Sequence, residues 1–134
     1  MFSWWRKLFP VKAEFSGAPR FGRLKTYSAD SGYVFQYSLS SFRRHRGGDQ
    51  VYEYVFLVSA GRGPAQPLSV LLGTSVLRQW QTQLGRELTA SERFAIAKIA
   101  LKRHLDESEA PNSVGPSVSP GLEEVGEISS FLGL

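Results

Sequence analysis

An α+β fold is predicted for this chain: a four-stranded, mainly antiparallel β-meander followed by an αα-hairpin packed on one face. Two observations predict it. Between residues 20 and 72, apolar and aromatic side chains recur with a period of two, interrupted by polar clusters that contain glycine. Between residues 74 and 105 the period becomes helical, with a glycine stop and a capping box separating two runs. Strands first and helices afterwards is the pattern of the α+β class.

Each element has its own warrant. Residues 20–27 form a first strand of low apolar content, ended by the turn cluster Ser28, Ala29, Asp30, Ser31 and Gly32. In residues 33–42, Tyr33, Phe35, Tyr37 and Leu39 alternate with Gln36, Ser38 and Ser40, which predicts a strand with one apolar face. A polar loop with Gly47 and Gly48 leads to residues 51–60, rich in β-branched and aromatic side chains. Both faces of that strand are largely apolar, so it belongs at the centre of the sheet. A loop with two glycines and two prolines precedes a short fourth strand at 68–72.

Thr74 or Ser75 can cap a helix over 76–84, where Val76, Leu77, Trp80 and Leu84 share one face. Gly85 is its stop. Thr89 and Glu92 form a capping box for a second helix over about 90–105. Apolar residues cover most of that helix, leaving a narrow polar stripe of Ser91, Lys98 and Lys102, so it must be buried on most sides. One domain over 20–106 is expected, after an aromatic and basic extension at 1–19. Residues 107–134 carry three prolines and only acids for charge, which reads as a disordered acidic tail.

Composition narrows the chemistry. The 134 residues hold no cysteine and only two histidines, His45 and His104, which excludes a disulfide scaffold, thiol nucleophiles and Cys-ligated metals. No cofactor is expected. No apolar run is long enough to span a bilayer, and a cytoplasmic protein is expected. Residues 1–105 carry sixteen bases and six acids, a net +10, and residues 106–134 carry six acids and no base. A basic body with an acidic end suits an anionic partner, with the tail as an internal mimic of it; a merely solubilising charge distribution is the alternative.

The densest positive charge is the loop of Arg43, Arg44 and Arg46, with Arg23, Lys25 and Arg62 as candidate neighbours. Guanidinium groups grip phosphates, and aromatics on the flanking strand would stack bases, so nucleic acid or another polyanion is the first expected partner. The second is a protein, met by the apolar second helix, Trp4, Trp5, Phe131 and Leu132. Trp4 and Trp5 beside Arg6 and Lys7 also suit peripheral contact with the inner face of a membrane. A helix-turn-helix reader is disfavoured, because its second helix needs a polar outer face. Neither a phosphate loop nor a dinucleotide fingerprint is present.

Catalytic candidates are sparse. His45 lies in the basic loop without an obvious carboxylate, and His104 near a helix end suits a structural role. Glu53, a carboxylate within the central strand, is expected to face solvent; burial beside a cleft would strengthen an enzymatic reading. The expectation is a small non-enzymatic binding module.

Overall fold

The computed structural model describes residues 26–44, 49–60, 63–107 and 116–134, with the side chain of Arg44 outside the description. The described residues form one mostly antiparallel sheet of five strands, in the order β1-β2-β3-β4-β5. These are β1 (Thr26–Ser28), β2 (Tyr33–Arg44), β3 (Gln50–Ala60), β4 (Gln66–Gly73) and β5 (Ser117–Val118). Among the described residues three helices accompany them: α1 (Thr74–Leu84), α2 (Ala90–Glu107) and α3 (Leu122–Phe131). The first four strands pair antiparallel with their chain neighbours, as the alternation predicts. The fifth is an addition to the four expected. It lies parallel to β4, with Ser69 opposite Ser117 and Val70 opposite Val118.

A register shift between Tyr37 and Leu39 divides β2. Before it, Tyr33, Phe35 and Tyr37 pack in the main core; after it, Leu39 joins a separate small cluster with Val55. One extra residue in a strand sends every later side chain to the opposite face. The single apolar face expected for 33–42 is therefore split. Phe42 now meets Tyr52 on the helical side, while Arg43 meets Glu53 on the other.

The helices cover one face of the sheet. Phe94 of α2 is the hub, edge-on to Tyr37 at 5.2 Å between ring centroids and stacked on Phe56 at 6.2 Å. Leu77, Ala97, Leu101 and Leu105 complete this core with Tyr54, Val70 and Leu72. Burying one such aliphatic side chain contributes about 1.5–3 kcal/mol. The capping box at the start of α2 forms as expected: Glu92 N–H donates to Thr89 Oγ1 at 3.1 Å, and Thr89 N–H donates to Glu92 Oε1 at 2.8 Å. At the start of α1 neither Thr74 nor Ser75 caps. Gly73 is the N-cap, and both hydroxyls donate to Asp49, at 2.9 and 3.0 Å. Gly73 has no Cβ, which would lie 3.0 Å from that carboxylate. Gly85 ends α1 in the left-handed conformation, at φ 84°.

The expectation of a disordered tail fails over residues 117–134. Leu122, Val125, Ile128 and Leu132 recur at helical spacing, and Val125 and Ile128 are fully buried against α1 and α2. Glu123 and Glu124 lie in the first turn of α3, where the helix dipole favours acids. Gly126 lets the helix approach closely: a Cβ there would sit 3.1 Å from the Trp80 ring. The acids serve the fold itself. Glu127 accepts a hydrogen bond from Arg103 of α2 at 3.2 Å, and Asp106 accepts one from Lys102 at 2.9 Å. Among the described residues, no helix is long and apolar enough to cross a membrane.

Candidate anion-binding cleft

Tyr52 sits on the helical side of β3, near the end of the sheet where β4 turns into α1. The stub Leu88–Thr89 brings the first turn of α2 against it, and the Arg93 guanidinium lies over the Tyr52 ring, 4.4 Å from its centroid. Arg93 Nη1 donates to the Leu88 carbonyl at 3.0 Å, which fixes the plane of the group. Its Nε is buried. Arg93 forms no ion pair among the described residues. The nearby Tyr54 hydroxyl is likewise buried, and burial raises its pKa well above the ordinary tyrosine range, against the opposing pull of the Arg93 charge and of hydrogen bonding to the Arg93 side chain.

A cleft of about 160 Å³ opens at this point, lined by Tyr52, Thr74, Leu77, Arg78, Gln81 and Arg93. Gln81 Oε1 accepts the Leu88 amide at 2.8 Å, tying α1 to the start of α2 and leaving the Gln81 amide nitrogen as a donor. Arg78 is exposed one turn earlier on α1 and forms no ion pair among the described residues. The Thr74 end differs. Its hydroxyl is committed to Asp49, and those hydrogen bonds, that of Thr74 foremost, hold the Asp49 carboxyl below its ordinary value. Arg78 and Arg93 thus line the cleft, and no carboxylate is among its lining residues. Arginine forks with free donors and an aromatic wall are suited to planar or tetrahedral oxyanions.

Of the residues expected to bind a polyanion, the structure describes Arg43 and the backbone of Arg44. Arg43 points to the opposite face of the sheet and is engaged with Glu53, Nε to Oε1 at 2.7 Å. Arg44 ends β2 opposite Gln50. Arg23, Lys25, Arg46, Arg62, Trp4, Trp5 and His45 lie outside the described residues. Tyr33, Phe35 and Tyr37 are packed under the helices and form no stacking platform. Phe131 is exposed at the end of α3, whereas Leu132 packs against the core. His104 lies in the last turn of α2.

The expected solvent exposure of Glu53 is overturned. Its side chain is 10% exposed, and it accepts hydrogen bonds from Arg43 and from Ser69 Oγ, both at 2.7 Å. It lies across the sheet from the cleft. Among the described residues, no group of three or more His, Cys, Asp or Glu could hold a metal. Arg78 and Arg93 escaped the sequence reading because they lie on different helices. The available signal was Arg93 itself, a base one residue before the most aromatic contact point of a mostly apolar helix. No family model matches the chain, and no curated protein and no solved structure matches it either.

Proposed function

We propose that this domain is a small non-enzymatic binding module whose cleft between α1 and α2 receives one anionic group, a phosphate or a carboxylate, carried by a larger ligand. The observation that carries this reading is Arg93: a partly buried guanidinium whose side-chain neighbours Tyr52 and Tyr54 are neutral, with no carboxylate of its own among the described residues and an open cleft beside it. A buried cationic donor left unmatched is costly, and an oxyanion supplied by a ligand would remove that cost. Arg78 adds a second charge, and Gln81 a neutral donor.

Charge-assisted hydrogen bonds contribute about 1.5–3 kcal/mol each, so free phosphate should bind at roughly 1 mM, with the rest of a natural ligand adding affinity. Inorganic phosphate titrated into the isotopically labelled chain should shift the amide resonances of Arg78, Gln81, Leu88 and Arg93. The effect should weaken with added salt and vanish in Arg93→Gln. Shifts confined to other regions, or unchanged by that substitution, would refute the reading.

A second reading has one specific observation in its favour. Phe131 is 76% exposed, the one large apolar side chain so exposed among the described residues, and it would centre a protein contact at the end of α3. Binding through it would change little with salt, which separates it from anion capture.

A further inference from the structure

The cleft between α1 and α2 constrains its ligand beyond the sign of one charge. Arg78 and Arg93 both line it, and none of its lining residues is acidic. Arg93 commits Nη1 to the Leu88 carbonyl, and neither arginine forms an ion pair among the described residues. Two guanidinium groups with no carboxylate between them are matched by two negative charges. A carboxylate or a sulfate ester brings one. A phosphate monoester brings nearly two at neutral pH, because its second pKa is about 6.

Two further observations describe what carries the phosphate. Tyr52 is the one aromatic residue lining the cleft, and its ring is already engaged, by the Arg93 guanidinium at 4.4 Å and by Phe42 at 4.7 Å between ring centroids. A nucleobase stacked on Tyr52 would compete with the guanidinium that holds the phosphate. Thr74, also in the lining, donates its hydroxyl to Asp49 at 2.9 Å. Asp49 accepts from the Ser75 hydroxyl at 3.0 Å and from the Ser75 amide as well, so the first turn of α1 already has its anion. A second phosphate leaving the cleft past Thr74 would meet this like charge.

We infer that the ligand is a phosphate monoester on a non-aromatic carrier, a phosphorylated seryl side chain or a sugar phosphate, received as its dianion by Arg78 and Arg93. The inference rests on the anion-binding reading above and narrows it. Arg93 supplies a charge braced against Tyr52 and Leu88, Arg78 supplies the second, and Gln81 adds a neutral donor.

Methyl phosphate and methyl sulfate are probes of similar shape that differ in charge above about pH 6. Each is titrated into the full isotopically labelled chain at about pH 5 and about pH 7.5, on either side of the ester's second pKa, and followed through the amides of Arg78, Gln81, Leu88 and Arg93. The charged and titratable groups facing the site are Arg78 of α1, Arg93 of α2 and Tyr52 of β3, with Asp49 behind Thr74. None of these residue types ordinarily titrates in that range, so a change in binding reports the ligand's own proton. Methyl phosphate should bind on the order of tenfold more tightly at the higher pH, and methyl sulfate equally at both. Arg78→Gln, at an exposed position, should remove most of that gain without disturbing the fold. Glycerol phosphate and a short phosphoseryl peptide then distinguish the two carriers, and whichever binds more tightly should exceed adenosine monophosphate. Methyl sulfate equal to methyl phosphate at the higher pH, or adenosine monophosphate binding tightest, would overturn the inference and leave an anion site in place. No shift with either methyl ester would remove the inference together with the reading beneath it.

Discussion

At the start of α2 the Glu92 carboxylate accepts hydrogen bonds from Arg86 through both terminal nitrogens and from the Thr89 amide. Arg86 first, then the Thr89 amide, hold its carboxyl near 2, below the ordinary 4.5. A carboxyl depressed on folding stabilises the fold above its unfolded value, and that contribution is lost as pH falls toward the folded value. Urea unfolding of the full chain should therefore show stability declining between about pH 4.5 and about pH 2, and Glu92→Gln should flatten part of that decline. The effect is modest, because Arg86 is 45% exposed and solvent screens the pair. Glu53 differs in kind. Glu53→Ala leaves the Ser69 hydroxyl and the Arg43 guanidinium without their acceptor, and should cost about 2 kcal/mol by chemical denaturation. The capping box was legible in the sequence because its partners are three residues apart. The Arg43–Glu53 pair was not, since its geometry depends on the register shift in β2, which no local pattern marks.

Among the elements, the four meander strands and the first two helices followed from periodicity and turn residues alone. Strand ends moved by one to a few residues, as pairing with neighbours extends a ladder beyond its apolar stretch. β5 and α3 were hidden by composition: prolines, serines and acids outweighed a helical spacing of Leu122, Val125, Ile128 and Leu132 that was present throughout. Glu124 and Glu127 of α3 both meet Arg103 of α2, a match visible only once the two helices are side by side. Ile128→Ala would open a cavity between α1, α2 and α3, and should lower stability by about 3 kcal/mol in urea titration. Glu127→Gln, at the exposed rim of the same helix, should change it by less than about 0.5 kcal/mol. A cost for Ile128→Ala no larger than that for Glu127→Gln would mean that α3 is not part of the core.

For the whole molecule, the sheet separates two environments: a thick helical side with an arginine-lined cleft at its end, and a second side that carries Leu39, Val55 and the Arg43–Glu53 pair. The cleft was illegible in the sequence because Tyr52, Arg78 and Arg93 come from three elements and meet only through the turn from β4 into α1 and the Gln81–Leu88 hydrogen bond. The net +10 of residues 1–105 is partly neutralised within the fold, since Lys102 and Arg103 pair with acids later in the chain. A chain ending at Glu107 would lose β5 and α3, expose the flank of α2 and leave β4 as a bare edge. Its thermal transition should be broad or absent, where the full chain unfolds cooperatively. The parallel pairing of β5 with β4 also has a consequence for synthesis. Twenty-four residues separate the end of α2 from the end of α3, which a ribosome adds in about 1–5 s at ordinary rates. During that interval the nascent chain carries a finished meander with an uncapped edge and an uncovered greasy helix, so co-translational chaperone capture should centre on α2 and end when Phe131 emerges.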